Sequence, residues 1–176
     1  LELFKTDDTF RALELAEKLD DLNRERRKVQ EEIFVQASSQ VVLDDPVAVV
    51  AGDDWHEGVI GIVAGRIKEQ EHRPTIVFAR SQEENSMKGS GRSIPGFHLR
   101  DALDLIFKKK PGLIKKFGGN AMAAGLTIDS TRWDEFREDF NAVCEEQLTE
   151  DVLERYVLVD GCLDPKEANV YMAEQI

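Results

Sequence analysis

Two short apolar runs, Val47-Ala48-Val49-Val50-Ala51 and Thr75-Ile76-Val77-Phe78-Ala79, constrain the fold of this chain more than any other feature. Each has the length and β-branching of a buried strand. Between them a turn, Gly52-Asp53-Asp54-Trp55-His56, leads into a helical pattern carrying Val59, Ile62, Val63 and Ile67, with Asp54 as its expected cap. Strand, helix and strand within about 30 residues form a βαβ unit, with the two strands parallel and the crossover right-handed. Gly58, Gly61, Ala64 and Gly65 share the helical stretch. Each Gly costs about 1 kcal/mol relative to Ala in a helix, so four small residues predict very close packing on a sheet or a ligand.

The rest of the chain is read outward from this unit. Upstream, Thr6 offers an N-cap oxygen, Asp7 and Asp8 suit a first helical turn, and Leu15, Leu19, Leu22, Arg26, Val29 and Ile33 recur at helical spacing with no Gly or Pro before Ser38. A helix from Thr6 to Ala37 would be on the order of 45–50 Å long. That exceeds a small domain, so it reads as a connecting helix between two lobes. A self-associating coiled coil is the alternative, although the stripe is short and Arg26 interrupts it.

Downstream, Ser81–Ser86 is a loop and Met87–Ser93 a glycine-rich strand. Leu99–Phe107 is an amphipathic helix closed by Pro111-Gly112. Leu113–Phe117 reads as a short helical turn, Gly125–Ile128 as a strand, and Thr131 as the cap of a helix carrying Trp133, Phe136, Phe140 and Val143. Tyr156–Val159 reads as another strand and Asp164-Pro165 as the start of a helix to the chain end. The expected fold class is α/β, a mixed β-sheet flanked by helices and preceded by a long connecting helix.

With 176 residues and 41% hydrophobic content the chain suits one medium domain with appendages. Leu1, without an initiator Met, reads as the start of a fragment or processed product. No apolar run approaches the roughly 20 residues of a membrane helix, and no secretory signal is visible. Cys144 and Cys162 lack metal-ligand spacing and read as reduced packing residues of a cytoplasmic protein, with no membrane partner.

Two glycine-rich turns carry the candidate chemistry: Lys88-Gly89-Ser90-Gly91-Arg92-Ser93 and Phe117-Gly118-Gly119-Asn120-Ala121. Glycine lets a backbone pass close to a ligand, and successive N–H groups in such turns make concave anion sites. Lys88 and Arg92 would hold a phosphate, and Ser90 and Ser93 would add hydroxyl donors. The net charge of −12 argues against a nucleic-acid partner, but it hides an asymmetry. Met87–Asn120 holds eight Lys/Arg against two acids, whereas Ala121–Ile176 holds 14 acids against four bases. A polyanion responds to the local field, screened over about 8–10 Å. The lysines at 108–110 fit either this basic island or a merely solvated helix end.

Metal-dependent phosphodiester hydrolysis needs clustered carboxylates and imidazoles. His56, His72 and His98 are scattered, and Asp53-Asp54 with His56 is read more readily as caps than as a metal site. Ser90 and Ser93 have no partners of triad type. His98, at a helix start, suits either a phosphate contact or a hydrogen bond to a backbone carbonyl. Trp55 suits either the core or a base stack.

Trp55-His56-Glu57-Gly58-Val59-Ile60-Gly61-Ile62-Val63-Ala64, His72-Arg73-Pro74, Lys88–Ser93 and Phe117–Gly125, in that order, resemble the RecJ family of single-stranded-DNA-specific exonucleases in the DHH phosphoesterase superfamily. The resemblance covers nearly the whole chain. Asp20–Arg27 is similar to the long helix leaving the catalytic lobe, and Val159-Asp160-Gly161 to the lead-in of an oligonucleotide-binding-fold domain. The resemblance implies that residues 1–40 connect from an upstream DHH lobe, 41–152 form the DHH-associated substrate-binding domain, and 153–176 begin the following module.

It further implies that two divalent metals, manganese or magnesium, sit in the upstream lobe and none in this chain. Lys88, Ser90, Gly91, Arg92, Ser93, Gly118, Gly119 and Asn120 would then contact phosphate or DNA, with Ser90 and Arg92 at the 5′-terminal phosphate. His56 and His98 are further candidate DNA contacts. Asn120 stands where the family has histidine after two glycines, in a supporting position; Asn can donate and accept hydrogen bonds but can neither carry a positive charge nor shuttle a proton near pH 7. The implied function is the strand-binding half of a 5′-to-3′ exonuclease on single-stranded DNA, serving repair and recombination and inactive without its other lobe. Two alternatives are a phosphodiesterase on short oligoribonucleotides or cyclic dinucleotides, and an interaction module using the long helix.

Overall fold

The computed structural model describes residues 1–156, 158, 159, 161, 162, 164–166 and 168–174. Helix α1 (Thr9–Ser39) leads to β1 (Ala48–Gly52), α2 (Ile60–Glu71), β2 (Thr75–Arg80), β3 (Ser86–Arg92), α3 (Leu99–Lys109), β4 (Ile114–Gly119) and β5 (Ala123–Asp129). A 3₁₀ turn (Ser130–Arg132), α4 (Trp133–Gln147), α5 (Glu150–Leu153) and α6 (Val170–Ala173) follow. The five strands form one sheet in the order β1-β2-β3-β5-β4. β1 and β2 are parallel and the other pairs antiparallel, so the expected mixed sheet with its βαβ unit is present.

Helices cover both faces. On one, Val63, Ala64 and Ile67 of α2 and Ile33 and Ala37 of α1 pack on Ala48, Val50, Val77 and Ala79. On the other, Leu99, Leu103 and Ile106 of α3 and Phe136 and Phe140 of α4 pack on Ile76, Phe78, Leu126 and Ile128. Phe78 meets Trp133 and Phe136 edge-on, with ring centroids 5.3 Å apart in both pairs. Such pairs add about 0.5–1.5 kcal/mol each beyond the area they bury. The outer edge of β1 is closed by a side chain: the Gln40 amide donates to the Ala51 carbonyl (3.0 Å) and accepts from its N–H (3.2 Å), like one rung of a ladder.

Several local expectations are corrected. Asp8, not Thr6, caps α1, accepting from the Phe10 and Arg11 N–H groups. Only Ile33 and Ala37 of α1 are buried, and Leu19 and Leu22 of the predicted stripe are 54% and 52% exposed. At about 1.5 Å per residue α1 outruns the α2 surface on which its C-terminal turns rest. Asp54 does not cap α2, whose N-cap is Val59 with no side-chain acceptor.

Residues 114–119 form strand β4 rather than a helical turn, because the pairing with β5 wins over local pattern. An extra residue, Lys115, bulges between the Ile114–Ile128 and Lys116–Thr127 pairs. Thr131 does not cap α4: Asp129 accepts from its N–H and hydroxyl ahead of the 3₁₀ turn. His72 takes the left-handed C-cap of α2 at φ 49°. The predicted strand at 156–159 includes Val157, outside the described residues, as is Asp160 of the 159–161 motif. The expected C-terminal helix does not start at Asp164-Pro165: residues 164–166, 168 and 169 are not helical, and the helix begins after Asn169, which caps Val170–Ala173 by accepting from the Met172 N–H.

Candidate nucleic-acid groove

Alternation along β3 separates its side chains by face. Lys88, Ser90 and Arg92 point to the α2 side, and Gly89 and Gly91 to the α3 side. This corrects the reason for those glycines. A Cβ on Gly89 would lie 2.5 Å from Phe78 Cε1 and 2.7 Å from Leu126 Cδ2, and one on Gly91 would lie 2.8 Å from Leu99 Cδ2. Both are glycine because the aromatic and aliphatic core presses on the strand. Gly91 therefore faces away from any ligand on the Ser90 side.

α2 lies over β2 and β3 and stops there. On that face no helix among the described residues packs on β5 or β4, which leaves a groove of about 680 Å³ lined by Glu57, Gly58, Ile60, Lys88, Ser90, Lys116, Gly118, Gly125 and Thr127 among others. Strand register sets its floor, since Gly118 pairs with Gly125 and Gly125 with Ser90 in one row across the sheet. Lys116, Thr127 and Lys88 make the next row.

Arg92 folds back over Ser90: its Nη1 donates to Ser90 Oγ (3.1 Å) and to the Gly91 carbonyl (2.8 Å). Gly61 permits this, because a Cβ there would lie 2.9 Å from Ser90 Oγ and 3.0 Å from Arg92 Nη2. The close packing predicted from the small residues of α2 thus occurs, against the Ser90–Arg92 pair. The positive end of α2, without a side-chain cap, sits beside them.

Ser93 is turned inward. Its buried hydroxyl donates to the Phe97 carbonyl at 2.8 Å, so it supplies no donor to the groove. It does join the two glycine motifs through its backbone, because the Ser93 N–H donates to the Met122 carbonyl (2.8 Å) and the Leu99 N–H to that of Ala121 (3.0 Å). Gly118 is strand rather than turn. Gly119 ends β4 at φ +150°, where a Cβ would lie 2.2 Å from the Ala123 carbonyl oxygen. The turn itself is made by Asn120, whose Oδ1 accepts from the Met122 (2.9 Å) and Ala123 (3.0 Å) N–H groups.

Both candidate histidines act as local acceptors. His56 Nδ1 accepts from the Gly58 N–H at 3.0 Å. His98 caps α3 by accepting from the Asp101 N–H at 3.2 Å through Nδ1, rather than donating to a backbone carbonyl. Trp55 belongs to the core, 6% exposed and donating to Gln36 Oε1 at 2.8 Å.

The basic island is split between the two faces of the sheet. Lys110, on the α3–α4 side, pairs with Glu135 (3.2 Å) and Asp139 (3.7 Å), and Lys108 pairs with Asp104. Lys115 donates to the Asn85 carbonyl and Ser86 Oγ. In the groove Lys88 pairs with Glu57 at 2.7 Å, which holds the carboxyl below and the ammonium above their ordinary ranges. Lys116 is 3.9 Å from a Glu83 carboxylate. Among the described residues Arg92 has no acidic partner within ion-pair distance. Glu57, Lys116, Gly125 and Thr127 are groove residues that the sequence did not single out as a site. The signal for Gly125 was its place at the end of the Phe117–Gly125 motif.

Among the described residues no group of three or more His, Cys, Asp or Glu side chains is gathered where a metal ion could sit, and Asp53, Asp54 and His56 do not converge. Nor is any helix among them long and apolar enough to cross a membrane.

The DHHA1 domain family matches residues 44–146. The single-stranded-DNA-specific exonucleases RecJ of Haemophilus influenzae and Dickeya dadantii are 39% and 42% identical over 100% of this chain, which spans 32% of each. RecJ from Thermus thermophilus in complex with Mg²⁺ superposes with a TM-score of 0.73 at 28% identity, over 82% of this chain and 22% of that one. The same protein has also been solved with Mn²⁺.

Proposed function

The chain belongs to the DHHA1 domain family and matches RecJ proteins along its length, and on that premise we propose that it is the strand-binding half of a RecJ-like 5′-to-3′ exonuclease acting on single-stranded DNA. The observation that carries this reading is the pairing of Ser90 and Arg92 at the end of a groove floored by bare backbone. A guanidinium, a hydroxyl and the uncapped end of α2 converge on one point, which is the donor set a terminal phosphate requires.

From that anchor the strand would lie over Gly125 and Gly118, with Lys88 and Lys116 along its path. Single strands suit such a floor because their backbone can approach closely where no Cβ stands in the way. The hydrolytic step is assigned to the parent protein. The two divalent metals, magnesium or manganese as in the Thermus thermophilus structures, would be held by an upstream DHH lobe, in keeping with the lack of a clustered donor set among the described residues. The part played here is to hold the 5′ end in register, in a cytoplasmic enzyme of DNA repair and recombination.

The domain layout proposed for the parent is residues 1–40 as connector, 41–152 as substrate domain and 153–176 as the lead into an oligonucleotide-binding-fold module. Phe10, Leu13, Leu19 and Leu22 of α1, all more than half exposed, are the apolar surface that suits the upstream lobe.

The test is an exonuclease assay of the full-length parent on end-labelled single-stranded DNA with Mg²⁺ or Mn²⁺, beside this chain alone. The parent is expected to degrade the strand and the isolated chain to leave it intact. Ser90→Ala and Arg92→Ala in the parent are expected to raise KM roughly tenfold or more, as losses of charge-assisted phosphate contacts. Unchanged kinetics in both variants would reject the reading.

A further inference from the structure

The groove contains a carboxylate to which the reading above gives no role. Glu57 Oε2 lies 2.7 Å from Lys88 Nζ, both side chains are partly exposed, and both line the groove beside Ser90. The pair is not needed to hold its loop. Trp55 anchors that loop to Gln36 at 2.8 Å, and His56 Nδ1 closes it on the Gly58 N–H at 3.0 Å. Glu57 thus places a negative charge where a polyanion is to lie, and it fills the anion position of a groove ammonium. Arg92, further along the same face of β3, has no such competitor among the described residues.

We propose that Glu57 is a specificity-determining residue, an internal competitor that occupies the anion position of Lys88 and so admits only strands anchored by a terminal phosphate at Ser90 and Arg92. This rests on the groove reading given above. A strand held at its end presents its next phosphate to Lys88 at high effective concentration and displaces the carboxylate. A strand without that anchor meets Glu57 as a like charge and is turned away, which is discrimination by a repulsive element. The displaced Glu57 carboxylate stays beside the bound phosphate and offsets the charge of Lys88, so this contact frees fewer of the cations condensed on the strand, and the salt dependence of binding is shallower than the number of cations in the groove suggests.

The experiment uses the full-length parent with a chelator to prevent hydrolysis, and oligonucleotides ending in 5′-phosphate or 5′-hydroxyl, over a salt series. In Glu57→Gln both ligands are expected to bind more tightly, the hydroxyl-ended one most, so that preference for the phosphate shrinks by roughly threefold or more. The slope of log K against log salt should steepen by about 0.7, the value of one additional phosphate contact on a single strand. Adding Lys88→Met to Glu57→Gln should restore the original slope.

Unchanged or weaker binding with unchanged end preference in Glu57→Gln overturns the proposal, and a lower Tm in that variant would mark the pair as a structural strut. Arg92→Ala, measured alongside, separates the two levels. If it abolishes binding while Glu57→Gln changes nothing, only the role of Glu57 fails. If Arg92→Ala binds normally, the groove reading fails and the Glu57 proposal with it.

Discussion

Gly118 and Gly125 face each other across β4 and β5, and a Cβ built on either would meet no atom within 4 Å. Nothing among the described residues requires glycine at these two positions. Gly89, one strand away and on the opposite face, is glycine because Phe78 and Leu126 leave no room. The same residue type thus serves the outside of the sheet at one site and its core at the other.

Substitution separates the two roles. Gly118→Ala and Gly125→Ala should leave Tm unchanged or slightly higher, because glycine in a strand interior is entropically costly. In the parent they should weaken single-stranded DNA binding about tenfold by lifting the strand off its floor, the cost of about one lost phosphate hydrogen bond. Gly89→Ala should do the reverse, destabilising by about 1–3 kcal/mol through overpacking. Thermal melts beside a binding titration decide this, and equal losses of stability in all three variants would contradict it.

Asn120 holds the turn that links the two glycine motifs, through Oδ1 and the N–H groups of Met122 and Ala123. His98 does the equivalent with Nδ1 at the start of α3, so an imidazole at position 120 can keep the turn. Asn120→His should therefore melt close to the parent sequence, whereas Asn120→Ala should lose roughly 1 kcal/mol. Asn has no outer ring nitrogen, so the histidine variant of the full-length enzyme should also gain rate. A slower Asn120→His enzyme would show that the neutral amide is the better fit.

Glu135 accepts from Arg132 and Lys110, and these hydrogen bonds pull its carboxyl down to about 2. The folded pKa lies below the unfolded one, so the stabilisation is present above the ordinary carboxylate range and lost as pH falls through it towards 2. The Tm of the parent sequence should decline between about pH 4.5 and 2, and that of Glu135→Gln should start lower and change less. Parallel pH–Tm curves for the two would show that this pair does not contribute to acid stability.

The βαβ unit was legible because two β-branched apolar runs admit few other readings. β4 was not, since Ile114-Lys115-Lys116-Phe117 loses its period-two pattern at the Lys115 bulge. Residue chemistry named Lys88, Ser90, Arg92 and Ser93 together as candidate phosphate donors, and only the family resemblance singled out Ser90 and Arg92, which the structure places in contact while Ser93 turns inward. The cause of Gly89 and Gly91 was not, because it lies in Phe78, Leu126 and Leu99, residues distant in sequence or in an adjoining helix. The basic run looked continuous because sequence adjacency does not say which face of a sheet a side chain joins. Glu57 could not be picked out, since its meaning comes from Lys88, which only the fold brings beside it.

The proposed grip of Ser90 and Arg92 on a 5′-terminal phosphate is measured by binding of 5′-phosphorylated and 5′-hydroxyl single strands to the full-length parent and its Arg92→Ala variant at low and high salt. The expected result is a preference for the phosphorylated end that disappears in Arg92→Ala, together with a shallower salt dependence for that variant by about one phosphate contact. Equal affinity for both ends in the unmodified protein, or an end preference that survives the loss of Arg92, would contradict it.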